Sequence, residues 1–211
     1  MSQHAFNAVL TLLIAGGLML AMFVGSITYS MHPNGWWFLG YFVVALPGVL
    51  LSSTSDNWFV SFIGYLLVIF ATGAIVGPYT HLYAPAVVMQ VALITLCVSL
   101  GIGFAGAVYP KSVENWGGFL LTGLIILICG DVVRMFMVSY GIQPVTLHIW
   151  DWIAVLLFSA FIFYDMNRAQ QIAWTLDNAV DSAVALYLDI INLFIRLLAT
   201  KSGSSNDNSK W

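Results

Sequence analysis

Long apolar segments alternate with short polar clusters along the whole chain. A helix needs about 20 residues to cross the ~30 Å hydrocarbon core of a bilayer, because each residue advances it by about 1.5 Å. Seven segments approach that length, and Pro, Gly, Ser, Asn or Trp residues bound each of them. The pattern therefore predicts seven membrane-spanning helices, over residues 8–29, 36–51, 58–76, 85–109, 116–140, 145–164 and 178–198.

The connections between these segments are short, which predicts one seven-helix transmembrane domain over residues 1–200. Residues 201–211 are polar and rich in Ser and Asn, so we expect a disordered tail there. Residues 1–7 contain no Lys or Arg, which argues against a secretory signal peptide. The first apolar segment is accordingly interpreted as a spanning helix.

Composition supports the membrane assignment and narrows the function. The chain is 61% hydrophobic and 7% charged, whereas a soluble domain carries about 25% charged residues. The net charge of −3 and the absence of a Lys/Arg cluster argue against nucleic-acid binding. No catalytic triad, nucleotide-binding motif or metal-ligand spacing has a supporting sequence context, so we expect neither enzyme activity nor a cofactor. The compact loops favour a bacterial inner membrane.

A polar stripe runs along the seventh segment. On a helix its members fall within an arc of about 80°, and they are Asp181, Asp189, Asn192 and Arg196. A carboxylate in the middle of a spanning helix costs on the order of 3 kcal/mol. We therefore expect the stripe to face a protein interior or a wet cavity, and to mark a functional pathway.

A second charged group lies on the fifth and sixth segments. Asp131 and Arg134 are one helical turn apart and can pair along the helix, and Asp151 enters the sixth helix from the same side. Two interpretations are open. The group forms the far mouth of a polar path through the bundle, or it is a structural ion pair that joins helices five and six.

Three stretches of the chain resemble the Bax inhibitor-1 (transmembrane Bax inhibitor motif) family. They are residues 70–78 followed by Tyr83-Ala84-Pro85, then Phe163-Tyr164-Asp165, and finally residues 185–194 followed by Leu197-Leu198. The last stretch is the most specific, and the resemblance in length, helix count and motif order covers essentially the whole chain.

The resemblance implies an all-α fold in which the C-terminal helix is surrounded by the other six. It also implies a pair of aspartates, one ending helix six and one within helix seven, which match Asp165 and Asp189 here. In bacterial members this pair is associated with a pH-sensitive calcium leak. Some bacterial members pair it with an arginine on helix two, but helix two of this chain has no basic residue.

Physical chemistry suggests how such a pair would act. Two carboxylates in a low-dielectric site cannot both ionise cheaply, so they share a proton. We predict that the proton holds helices six and seven together at low pH. At higher pH its loss would separate them and free oxygen ligands for a transient Ca²⁺. Calcium would then be the transported ion, and we expect a monomer in the lipid bilayer.

Simpler interpretations of both aspartates are also open. Asp165 would end helix six in the solvated interface beside Arg168, and Asp189 would be a buried carboxylate satisfied by Asn192 or by a nearby Tyr. For the whole protein, the alternative function is a non-conducting regulator that binds a partner such as a membrane protease or a cell-death factor. A retinal-type receptor is disfavoured, because the seventh segment lacks the lysine that retinal needs.

Overall fold

Seven α-helices follow one another in the computed structural model, which describes residues 1–32, 35–140 and 147–207. They are α1 (Gln3–Thr28), α2 (Gly35–Thr54), α3 (Trp58–Thr80), α4 (Pro85–Val108), α5 (Gly117–Ser139), α6 (Leu147–Gln171) and α7 (Leu176–Asp207). A single 3-10 turn, Glu114–Trp116, precedes α5, and the described residues contain no strand. The predicted all-α fold of seven helices is confirmed.

Six of these helices, all except α2, are long and apolar enough to cross a membrane. The apolar stretch of α2, Gly40–Thr54, is shorter. The chain is thus an integral, polytopic membrane protein.

Several helices extend beyond the apolar segments that predicted them. Helix α1 starts at Gln3, where the Ser2 side chain accepts a hydrogen bond from the Ala5 amide at 3.2 Å and caps the helix. Helix α6 continues past residue 164 to Gln171, and α7 continues through residues 201–207 of the expected tail. Hydropathy reports the part of a helix that meets lipid, whereas backbone hydrogen bonding continues into the polar region. The expected start of helix six at residue 145, and residues 208–211, lie outside the described residues.

Helix α7 occupies the centre of the bundle. It packs against α1, α2, α3, α4 and α6, and its Arg196 reaches Asp131 of α5. In its apolar stretch 56% of the residues are buried, compared with 11% in that of the peripheral helix α5. The predicted central position of the C-terminal helix is therefore confirmed.

Glycines allow α1 and α3 to approach each other closely. A Cβ added at Gly73 of α3 would lie 2.9 Å from the carbonyl oxygen of Ala21 and 2.9 Å from the Cβ of Val24, both in α1. One turn further along, Gly25 of α1 meets Gly77 of α3. Small residues at such positions let helix backbones pack tightly within a membrane.

A larger residue at this contact is expected to destabilise the bundle. Gly73→Ile should lower the free energy of unfolding by about 1–3 kcal/mol, because the added side chain has no space between the helices. The matched control is Gly101→Ile, since Gly101 is exposed and a Cβ there meets nothing within 4 Å. Thermal unfolding in detergent measures both variants. Equal stability of the two would contradict the close α1–α3 contact.

Candidate functional site

The packing of α6 on α7 brings Asp165 and Asp189 together. Asp189 lies in the middle of the apolar part of α7, and its side chain is buried, with 7% of the residue exposed. Asp165 of α6 is half-buried, and the two carboxyl groups are close enough for a hydrogen bond with each other. Ionised carboxylates only accept hydrogen bonds, so a bond between these two requires a proton on one of them.

The other expected partners of Asp189 point elsewhere. The amide of Asn192 donates to the carbonyl of Leu188 at 2.9 Å, within its own helix. The hydroxyl of Tyr187 pairs with the hydroxyl of Thr72 on α3. Neither residue makes the bond to Asp189 that the simpler interpretation required, and the Asp189 Oδ2 atom has no donor among the described residues.

Asp165 does not end its helix, contrary to the expectation from the sequence, because α6 continues to Gln171. Arg168 follows one turn later, is exposed, and is close enough to Asp165 to interact with it electrostatically. Arg168 is thus a basic residue near Asp165, and it lies on α6 itself and not on helix two. Asp165 therefore lies inside α6, beside Asp189, and not at a helix end.

A four-residue ion network lies towards the other end of α6. Arg134 Nη1 of α5 is 3.2 Å from Asp151 Oδ1 of α6 and 3.6 Å from Asp131 Oδ1 of α5. Arg196 Nη1 of α7 is 3.1 Å from Asp151 Oδ1 and 3.2 Å from Asp131 Oδ1, and its Nη2 also pairs with Asp131 Oδ2. The network joins α5, α6 and α7 and contains two positive and two negative charges.

The expected polar stripe of α7 is divided among three places. Asp181 accepts a hydrogen bond from Ser52 of α2 at 2.7 Å, Asp189 faces α6, and Arg196 joins the ion network. The stripe members share one face of the helix, as the spacing predicts. Between Asp181 and Arg196, however, the helix advances by about 22 Å, so each meets different neighbours.

Sequence reasoning missed two polar residues that support these sites. Asn167 is 1% exposed, donates to the carbonyls of Gly106 at 3.2 Å and Tyr109 at 3.0 Å, and accepts from the Val113 amide at 3.2 Å. It therefore ties α6, two residues after Asp165, to the connection between α4 and α5. The indole of Trp150 donates to Asp131 at 3.0 Å. Neither Asn167 nor Trp150 belongs to a motif or a periodic pattern in the sequence, and the residues that they bind are distant in the chain, so no signal in the sequence indicated them.

Comparison with known proteins agrees with this architecture. The family model described as inhibitor of apoptosis-promoting Bax1 matches residues 3–206. An uncharacterized membrane protein of Vibrio cholerae is 29% identical over 175 residues, which are 81% of this chain and 73% of that protein.

Eukaryotic relatives match a smaller part of this chain. The BI1-like protein of Arabidopsis thaliana is 31% identical over 115 residues, which are 53% of this chain and 43% of that protein. Bax inhibitor 1 of Saccharomyces cerevisiae is 30% identical over 94 residues, which are 44% of this chain and 29% of that protein. The chain therefore aligns with less than half of either eukaryotic relative. Because the family model covers nearly all of its residues, the resemblance found in the motifs is confirmed, and this seven-helix membrane protein belongs to the Bax inhibitor-1 family.

Proposed function

We propose that this protein is a pH-sensitive calcium leak channel whose gate is the pair Asp165 and Asp189. The observation that carries the proposal is a buried carboxyl group in the central helix that faces a second carboxyl group on α6. Such a pair is stable only with a proton between its members, because neither carboxylate can donate. Membership of the family, in whose bacterial members the matching pair is associated with a calcium leak, supports the same function.

Deprotonation would open the gate. Two negative charges in a low-dielectric contact repel each other strongly, and separation of α6 from α7 relieves that repulsion. The pair then offers up to four carboxylate oxygens, while Ca²⁺ takes 6–8 oxygen ligands. Water would supply the others, which favours passage of the ion over its retention. Calcium is the transported ion in this mechanism, and neither a catalytic step nor a cofactor is needed.

Further acidic residues would attract cations to the gate. Asp177 accepts a hydrogen bond from Ser61 at 2.8 Å, and Asp181 accepts one from Ser52. Arg168 interacts electrostatically with both Asp165 and Asp181, so the two acids lie on the same side of the bundle, near Arg168. Negative charge at the entrance of a route raises the local concentration of cations.

A regulatory function is the second candidate. The matching family is described as an inhibitor of apoptosis-promoting Bax1, which favours binding of a protein partner, such as a cell-death factor or a membrane protease. A regulator of this kind conducts no ions, and Asn would serve as well as Asp at position 189. We further propose that the protein is a monomer in a bacterial inner membrane. Its compact connections and its similarity to the Vibrio cholerae membrane protein support that location.

Calcium uptake into proteoliposomes between pH 6 and pH 8 tests the channel. Wild-type flux should rise with pH by up to about tenfold per pH unit, the limit for loss of one proton. Asp189→Asn should give a low flux at every pH, because the Asn amide donates to Asp165 and no repulsion develops. Asp56→Asn is the matched control, since Asp56 is exposed in the α2–α3 connection, and it should keep the wild-type profile.

Two results would contradict the proposal. Equal, pH-independent calcium flux in wild type and in Asp189→Asn would show that the Asp165–Asp189 pair does not gate the flux. Absence of calcium flux in folded, reconstituted wild type would contradict the channel function and leave the regulatory function as the better candidate.

A further inference from the structure

We propose that Arg196 is a latch, which closes the polar route through the bundle at the end opposite to the Asp165–Asp189 pair. The inference rests on the proposed leak function and adds a second closure to it. The guanidinium of Arg196 lies between a carboxylate of α5 and a carboxylate of α6, and it bonds to both.

The latch holds the most weakly packed helix of the bundle. Helix α5 is the least buried of the six apolar helices, and two of its glycines approach side chains of α6 closely. Gly123 approaches Leu157, and Gly130 approaches Trp150. Arg196 is the side chain through which the central helix binds α5 at Asp131. Release of Arg196 would therefore remove these bonds between α7 and α5 while leaving the contact of α5 with α6.

One helix carries both closures. Asp189 and Arg196 are seven residues apart, which places them two turns from each other, within about 20° on the same face of α7. On α6, their partners Asp151 and Asp165 are separated by about 21 Å along the helix axis. A rotation or shift of α7 that separates Asp189 from Asp165 therefore also moves Arg196 relative to Asp151.

The charges of the network favour a cation route once the latch is released. With Arg196 in place, two guanidinium groups balance the carboxylates of Asp131 and Asp151. Without it, Arg134 alone faces both carboxylates, and the wall formed by α5 and α6 carries a net negative charge. A purely structural ion pair has the same contacts in the closed state, but its loss would not open a wet route.

Cysteine accessibility distinguishes the latch from a structural ion pair without relying on calcium flux. Leu193 is fully buried and lies one turn before Arg196, so Leu193→Cys reports on the route beside the latch. The native thiols Cys97 and Cys129 are first replaced by Ser, because both are exposed. A membrane-impermeant thiol reagent is then added to reconstituted protein, from either side. We expect protection when Arg196 is present and labelling about tenfold faster, or more, in Arg196→Gln.

Matched variants separate the latch from general loosening of the fold. Arg134→Gln leaves Arg196 between the two carboxylates, so position 193 should stay protected. Leu10→Cys, at a buried position of α1 away from both closures, should stay protected in every variant and reports unfolding. Arg196→Lys keeps the charge but loses the planar fork that bridges both carboxylates, so it should give intermediate labelling. It also provides the test if Arg196→Gln does not fold.

Flux measurements complete the test. Arg196→Gln should conduct more calcium than wild type at pH 8 and should keep the dependence on pH, because the Asp165–Asp189 gate is intact. Protection of position 193 in folded Arg196→Gln or Arg196→Lys would overturn the latch. Labelling of position 193 in Arg134→Gln as fast as in Arg196→Gln would overturn it as well. If wild type conducts no calcium, the proposed leak function fails, and the labelling pattern still decides whether Arg196 closes a wet route.

Discussion

Asp151→Ala is expected to lower the free energy of unfolding by about 3–5 kcal/mol, the usual cost of removing one partner from a buried ion pair. Asp151 is 3% exposed, and its carboxylate lies 3.2 Å from Arg134 and 3.1 Å from Arg196. Its removal leaves two guanidinium groups that share the single carboxylate of Asp131. Unfolding of the purified protein in mixed detergent micelles, titrated with a denaturing detergent, measures the change.

Two further variants make the Asp151 prediction specific. Asp56→Ala removes an exposed acid and should change stability by no more than about 0.5 kcal/mol. Adding Arg134→Ala to Asp151→Ala should cost less than the sum of the two single substitutions, because residues of one ion network are coupled. Strict additivity, or a loss below about 1 kcal/mol for Asp151→Ala, would contradict a buried network.

The helices could be predicted from the sequence because lipid imposes one simple requirement on them. Every backbone polar group in the hydrocarbon region must be satisfied within the segment, so a long apolar run has to be a helix. Helix ends could not be predicted equally well. Hydropathy ends where the chain meets polar surroundings, but α6 continues to Gln171 and α7 to Asp207 through polar residues with no Pro to stop them.

The burial of Asp189 was also predictable, since a carboxylate in the middle of a spanning helix has to avoid lipid. Its partner was not predictable from helical spacing, because spacing relates residues of one helix only. Asp165 came from the resemblance of the Phe163-Tyr164-Asp165 stretch to the family motif, and the structure places its carboxyl group beside that of Asp189.

Arg196 shows the limit of the same reasoning. Its angle on α7 grouped it with Asp189, but its bonds run to residues 65 and 45 positions away in the chain. The Asp131–Arg134 pair was visible, because its members are one turn apart. No local pattern predicts that a third helix contributes the arginine that joins Asp131 and Asp151, so tertiary packing alone determines the network.

Asn167→Ala is expected to destabilise the protein by at least about 3 kcal/mol, because three buried polar groups lose their partner and each costs about 1–3 kcal/mol. The Asn167 amide satisfies the carbonyls of Gly106 and Tyr109 at the end of α4 and the amide of Val113 before α5. All three lose their partner in the variant. Thermal unfolding in detergent measures the loss.

Asn192→Ala is the matched control, because it removes the same side chain from α7. Among the described residues, the Asn192 amide donates to the carbonyl of Leu188 in its own helix, so a change of about 0.5 kcal/mol is expected. Asn167 fixes the end of α6 to the connection before α5, whereas the hydrogen bond of Asn192 stays within α7. Equal destabilisation by the two substitutions would contradict the anchoring of α6 by Asn167.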